Sequence, residues 1–385
     1  MPESRPSPIT PLSVALDRGA TRYFHGRKRI LGSFSRYLER AEQIKSGGTT
    51  FLIQGAPGVG KTALLDEIAL GALRNEWDVV HINLDDLYNP VHMAQTIGKY
   101  YVTRKQTSTK VDVKFLSREY IKDVAGDSSV SQVLEKMRPK RGMVLVLDEA
   151  QRIGRFYATP NEISVLGTLD ILHNGRLPHP VFLLAAGLRT TLRAFGSLKI
   201  SRFAENCVVE LGPLSKESER AVILDWLEDY GGVKEDPAAW IDTIAKETYG
   251  WPRHVQSYSR HAAEHLKANL GIMMPNGLEA VLELGRKGRK MYYKQRLNDF
   301  SGDEVICLTE AIKDVDSGRP FNEGLVVASL SEKYGHEEAN KLFQKFLDKG
   351  VIESDGFLYS VPIPSMHDWM KSELDQVQER LRACY

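Results

Sequence analysis

The chain has 385 residues, 42% of them hydrophobic, and its 51 Lys and Arg are balanced by 50 Asp and Glu. That length supports two or three domains with buried cores, and the balanced charge leaves no global attraction to nucleic acid or to an anionic membrane surface. Cys207, Cys307 and Cys384 form neither a CxxC pair nor a disulfide framework, which fits a reducing, cytoplasmic compartment. No apolar h-region follows Met1 and no run approaches the roughly 18 apolar residues that span a bilayer, so neither secretion nor membrane insertion is expected.

Residues 1–20, with Pro2, Pro6, Pro8 and Pro11, read as a flexible lead-in. From Phe51 short apolar runs alternate with helical stretches. FLIQG is followed by a helix from Lys61 to Arg74, WDVVHINL by a helical stretch after Pro90, and MVLVLDE by a helix from Ile163 to His173, before PVFLLAAG. Nearly all-apolar strands separated by helices predict an α/β fold whose parallel sheet is covered on both faces. The polar stretch between Thr103 and Ser129 reads as an insertion or long surface connection.

The run Gly55-Ala56-Pro57-Gly58-Val59-Gly60-Lys61-Thr62 matches G-x-x-x-x-G-K-[ST] and lies between a strand and a helix, the context that the motif requires. Its glycines let the backbone wrap phosphates, its N–H groups and the positive helix end attract anions, Lys61 reaches the terminal phosphates, and the Thr62 hydroxyl ligates Mg2+. A later buried strand ends in Asp148-Glu149. Asp148 would hold the Mg2+ and Glu149 would deprotonate the attacking water; the alternative is that both acids cap the next helix.

After Lys216 the strands stop, and residues 216–229, 237–247 and 252–267 read as three helices, the last with Pro252 at its first position. Residues 286–296 carry Arg286, Lys287, Arg289, Lys290, Lys294 and Arg296 with no acid, and read as a basic linker helix. With Tyr292 and Tyr293 interleaved, that helix is either a nucleic-acid footprint or a face presented to solvent or to the acidic segment beyond it. Residues 301–385 hold nine Lys and Arg against sixteen Asp and Glu. Helices at 303–315, 321–333 and 337–348 precede Asp355-Gly356, a two-residue hairpin signal, and together they predict a winged helix. The third helix offers Asn340, Lys341, Gln344 and Lys345 to DNA, while the acidic balance of the unit favours protein docking or autoinhibition.

On the phosphate loop, Asp148-Glu149-Ala150-Gln151, Tyr23-Phe24-His25-Gly26-Arg27 and Gly250-Trp251-Pro252-Arg253, the sequence resembles the AAA+ ATPases near the origin-recognition, transposition-helper and STAND branches. The resemblance covers residues 23–267. It implies a P-loop AAA+ core (21–213), a helical lid (214–275), a basic linker helix (276–300) and a C-terminal winged-helix domain (301–385). It implies ATP and Mg2+ as ligands and a homo-oligomer, with DNA or a protein as partner. Gly26 and Arg27 would lie beside the adenine, or else be a turn glycine and a surface arginine. Arg253 would be the lid's sensor of phosphate state. Arg202 would be the finger offered to a neighbouring subunit, with Arg152 and Arg193 as alternatives. One departure from the family pattern is the fourth strand, which ends in Leu183-Leu184-Ala185-Ala186-Gly187 with no polar sensor 1 residue; Arg189, Thr190 or Thr191 could substitute, and slow, switch-like turnover is expected.

Three functions remain open at this level. One is an ATP-driven assembly enzyme acting on DNA or a protein partner in replication, transposition or defence. Another is a STAND-like nucleotide switch. The last is a nucleotide-dependent interaction module without turnover.

Overall fold

The computed structural model describes residues 23–44, 48–106, 129–137, 139–174, 177–201, 203, 207–228 and 233–383. The proline-rich lead-in, residues 107–128 of the polar connection, and Arg202 lie outside them.

Five parallel strands form the central sheet: β1 (Gly48–Gly55), β2 (Asp78–His81), β3 (Met143–Leu147), β4 (Val181–Gly187) and β5 (Val208–Leu211). Their order is β2-β3-β4-β1-β5, which puts the strand leading into the phosphate loop between β4 and β5. Period-two alternation divides the strand side chains between two cores. Phe51, Ile53, Val144, Val146, Phe182 and Leu184 face α1 (Lys28–Ile44) and α2 (Lys61–Arg74). Leu52, Leu145, Leu183 and Ala185 face α3 (Pro90–Gln106), α4 (Val130–Lys136) and α5 (Glu162–Asn174). Burial on both faces is why these strands read as continuous apolar runs. Only four residues of WDVVHINL belong to the sheet strand, and Leu84 already opens a 3-10 helix over Leu84–Leu87. The connection expected from Thr103 starts later, since α3 continues through Gln106.

A short helix, α6 (Thr191–Ser197), follows β4, and the lid helices are α7 (Lys216–Trp226), α8 (Ala238–Thr248) and α9 (Pro252–Ala268). Ser215 caps α7 by accepting from Ser218 N–H, and Pro252 opens α9 at a position where its missing N–H costs nothing. The basic stretch lies on α10 (Gly277–Leu297), longer than the sequence suggests. Its first half packs into the lid core through Val281 and Leu282, while Tyr293 and Leu297 join the core shared with the C-terminal unit.

That unit holds α11 (Gly302–Ala311), α12 (Glu323–Tyr334) and α13 (His336–Asp348), the hairpin strands β6 (Glu353–Ser354) and β7 (Tyr359–Ser360), and a last helix, α14 (Pro364–Ala383), absent from the sequence reading. The hairpin turn sits one residue later than expected. Ser354 pairs with Tyr359, so Gly356 and Phe357 are the central residues. Asp355 Oδ1 accepts from Phe357 and Leu358 N–H at 3.4 and 3.0 Å, an Asx turn that draws Asp355 into the flank. Among the described residues no helix is long and apolar enough to cross a membrane.

Candidate nucleotide site

The loop Gly55–Thr62 leaves the C-terminal end of β1 and enters α2. Gly58 and Gly60 take φ of 77° and 93°, values open to glycine at little cost. Lys61 is buried, and its ammonium donates to Gly55 O at 2.9 Å and Ala56 O at 3.0 Å, so it is curled over the loop. Burial pushes this ammonium below the usual lysine range; Glu149 and Asp148 pull it back up, and the charge of Arg296 adds to the depression. Ala56, Pro57 and Val59 complete the loop, with Val59 buried beneath it.

Thr62 Oγ1 donates to Asp148 Oδ2 at 2.7 Å, joining the start of α2 to the end of β3 across 86 residues of sequence. Asp148 Oδ1 accepts from the N–H of Glu149, and Glu149 takes a left-handed φ of 54°, an uncommon conformation that turns its exposed side chain into the cleft. One turn beyond Thr62, burial and the nearby Asp148 and Glu67 carboxylates raise the Asp66 carboxyl to about 6. Thr62 and Asp148 are the oxygen donors that fit a hard cation held partly through water. Gly58 and its neighbours fit a polyphosphate: a Cβ there would stand 2.9 Å from Tyr292 OH and 3.1 Å from Trp251 Nε1, two buried donors with no hydrogen-bond partner among the described residues.

The sequence names Gln151 in the run Asp148-Glu149-Ala150-Gln151 but gives it no role. Its Nε2 donates to Glu149 Oε2 at 2.6 Å, and its Oε1 accepts from Leu188 N–H at 3.2 Å. This side chain occupies the space beside the end of β4: a Cβ at Gly187 would stand 2.6 Å from Gln151 Oε1 and 2.3 Å from Thr191 Oγ1. The apolar end of β4 therefore accompanies an amide delivered from the 3-10 helix Ala150–Phe156 that follows β3. Of the proposed substitutes, Arg189 turns away to Glu210 at 3.3 Å and Glu353 at 3.4 Å, and Thr191 donates to Leu188 O. Thr190 lines the cleft.

These elements border a cleft of about 1210 Å3 whose walls come from the core, the lid, α10 and the C-terminal unit. Arg253 reaches it from the lid, and its backbone N–H donates to Gly58 O at 3.2 Å. The turn carrying Arg253 is held by buried Glu219, which accepts from Thr248 Oγ1 at 2.5 Å and from Gly250 N–H at 2.7 Å. Arg152 and Arg193 line the cleft, and Arg193 donates to Gln344 Oε1 at 2.8 Å.

Gly26 and Arg27 are not part of the cleft lining. Arg27 Nη2 donates to Gly212 O at 2.5 Å, and burial lowers its pKa. A Cβ at Gly26 would stand 2.6 Å from Ser218 Oγ. Both residues lie where β5 passes into the lid.

The nucleic-acid surfaces suggested by charge are largely consumed by internal contacts. Arg286 pairs with Glu247 at 2.6 Å and Glu279 at 3.0 Å, and these bonds raise its already high pKa. Arg289 donates to Glu247 O, Lys290 pairs with Glu373, and Arg296 donates to Lys349 O. Tyr293 is buried, bonded to Ser365 Oγ at 2.6 Å. On α13, Gln344 is engaged by Arg193, and Lys345 lies 4.6 Å from the centre of the Phe300 ring. Lys341 pairs with Glu337 and Glu338 on its own helix.

No family model matches the sequence, and no curated protein matches it. Solved structures do match. The Aeropyrum pernix ORC2 protein, in ADPNP-ADP complexes, is similar at a TM-score of 0.56 and 15% identity, over 96% of this chain and 98% of that one. The Walker-type ATPase paby2304 of Pyrococcus abyssi is similar at 0.59 and 18% identity, over 90% and 96%. The chain has an origin-recognition-like AAA+ fold. The ADP form of the same ORC2 protein matches at 0.54 and 14% identity over 94% of this chain and 96% of that one, so the AAA+ likeness extends past the sheet and lid into the C-terminal unit.

Proposed function

We propose that the chain is an ATPase that binds a nucleoside triphosphate with Mg2+ at Gly55–Thr62 and hydrolyses it through Glu149, using turnover to switch its conformation or oligomeric state. The observation that carries this reading is the 2.7 Å bond from Thr62 to Asp148, which brings the phosphate loop and the acid pair into one site with Glu149 at the cleft. Lys61 would exchange Gly55 O and Ala56 O for phosphate oxygens. Thr62 and Asp148 would hold Mg2+, which when bound neutralises charge developing on the phosphates. Glu149 would take the proton of the attacking water, with its carboxylate oriented by Gln151. The ADPNP and ADP in the similar ORC2 structures support the choice of nucleotide.

Arg253, fixed to Gly58 through its backbone, would read phosphate state from the lid. A finger in trans, from Arg202, Arg152 or Arg193, would make turnover depend on assembly into a homo-oligomer. Gly26 and Arg27, at the passage from β5 to the lid, would help set lid position from outside the cleft lining. As for partners, engagement of Gln344 and Lys345 favours protein docking over DNA readout by α13, whether or not the unit acts as a winged helix.

A STAND-like switch is the second reading, favoured by the contact of the C-terminal unit with the loop itself: a Cβ at Gly350 would stand 3.1 Å from Pro57 Cγ. ATPase rate measured against protein concentration, with and without duplex DNA, separates the two. A rate per chain that climbs with concentration and with DNA supports the assembly enzyme. A flat, slow rate with nucleotide-dependent change in oligomeric state supports the switch, and no turnover under any condition sinks both as enzymes.

A further inference from the structure

Helix α10 is basic and its cations are mostly paired internally, yet one of its faces meets the phosphate loop. Tyr292 and Arg296 stand four residues apart, one above the other on that face. Tyr292 carries a buried hydroxyl with no partner among the described residues, and it lies where a Cβ on Gly58 would be 2.9 Å away. Burial raises its pKa, so the hydroxyl keeps its proton and is a donor. The Arg253 guanidinium carbon lies 5.7 Å from the centre of the Tyr292 ring, so the lid arginine and α10 approach the same loop together.

Arg296 lines the same cleft, close enough to Lys61 for its charge to weigh on that ammonium. Glu149 and Asp148 offset part of the repulsion between these two cations, and a phosphate group held by both would offset more of it. In this structure Arg296 donates to Lys349 O, the carbonyl just past the C-terminal end of α13, whose side chain pairs with Asp299 at 2.5 Å. The next residue, Gly350, abuts Pro57 and Leu188. Arg296 therefore joins the phosphate cleft to the last turn of α13, and a guanidinium has donors for both a carbonyl and a phosphate but cannot point them all one way.

We propose that Tyr292 and Arg296 form a second phosphate-binding arm, built on α10, that contacts the terminal phosphate of a nucleoside triphosphate and so loosens the hold of Arg296 on the end of α13. This rests on the reading that the cleft binds a nucleoside triphosphate. A diphosphate leaves Arg296 on Lys349 O and the C-terminal unit seated on the loop. A triphosphate draws Arg296 away and frees that unit to engage a partner.

The test uses the full chain, with AMP-PNP and ADP titrated calorimetrically in the presence of Mg2+, and amide exchange followed across residues 336–350. Arg296→Ala is expected to weaken AMP-PNP about tenfold while ADP stays within about twofold, a size usual for a charge-assisted phosphate contact. Tyr292→Phe, which keeps the ring, is expected to weaken AMP-PNP about threefold in the same selective way. Arg296→Gln retains a donor for Lys349 O and should show the same loss, which guards against a folding defect. In wild type the amides of 345–350 should exchange faster with AMP-PNP than with ADP, and in Arg296→Ala equally fast with both. Lys61→Ala should lose both nucleotides. If wild type binds neither nucleotide, the nucleotide reading falls and the arm with it. If wild type and Lys61→Ala behave as stated but Arg296→Ala leaves the AMP-PNP to ADP ratio unchanged, the arm alone is overturned.

Discussion

Gln151 bridges Glu149 and the backbone of Leu188, donating at 2.6 Å to the carboxylate and accepting at 3.2 Å from the N–H. It ties the acid at the end of β3 to the end of β4, at the cleft that the phosphate loop borders. Gln151→Leu should therefore lower kcat for ATP hydrolysis by about ten- to a hundredfold, the range for disturbing a general base, while KM moves by less than about threefold. Returning a polar residue to β4 with Gly187→Asn should not rescue that variant, because a Cβ at 187 would stand 2.3 Å from Thr191 Oγ1. Steady-state phosphate release on both variants checks this. A Gln151→Leu enzyme with wild-type kcat would remove Gln151 from the mechanism.

Gly58 combines a φ of 77° with close approach of Tyr292, Trp251 and Arg253. Gly58→Ala should cost about 1–2 kcal/mol of folding stability, from the left-handed backbone and the crowding together. It should also weaken nucleotide binding, since the lid and α10 must back away from the loop. Urea unfolding with a parallel nucleotide titration measures both. Unchanged stability would mean that the contacts at Gly58 are looser than described.

His254, next to Arg253, is buried, and its imidazole is pushed down to about 3 by burial, with the charges of Arg289 and Arg253 adding to the effect. Below its usual value of 6.5 the unfolded chain takes up a proton that the folded one refuses until about pH 3. Acidification through that window therefore destabilises the fold, by up to about 1.4 kcal/mol per pH unit. Asp66, raised to about 6, acts in the opposite sense, because between about 6 and 3.8 the folded state holds the extra proton. The wild type should thus lose about 1 kcal/mol more than His254→Asn between pH 7.5 and 5.5, a difference that isolates this histidine. Equal losses in urea unfolding at the two pH values would show that His254 titrates normally.

Much of the frame was legible in the sequence because it is local. The strand-loop-helix at Gly55 to Thr62, the apolar strand ahead of Asp148 and the three lid helices each declare themselves within about fifteen residues. The site residues whose roles were hidden are those placed by tertiary contact. Gln151 had no visible role, since the backbone that it grips is 37 residues away at Leu188. Tyr292 and Arg296 looked like part of a basic surface, yet the fold aims them at Gly58 and Lys349. Counting charge along α10 misled for the same reason: Glu247 of the lid, invisible to a local window, takes up both Arg286 and Arg289. The hairpin turn moved by one residue because the Asp355 carboxylate found two backbone N–H groups.

On the proposed reading, Glu149 hydrolyses the nucleotide held by the loop at Lys61. Phosphate release and ATP binding measured on the same preparations of wild type and Glu149→Gln test it most directly. Glu149→Gln should bind ATP within about threefold of wild type and turn it over at least about a hundredfold more slowly. Equal turnover in the two proteins, with ATP binding intact, would contradict it.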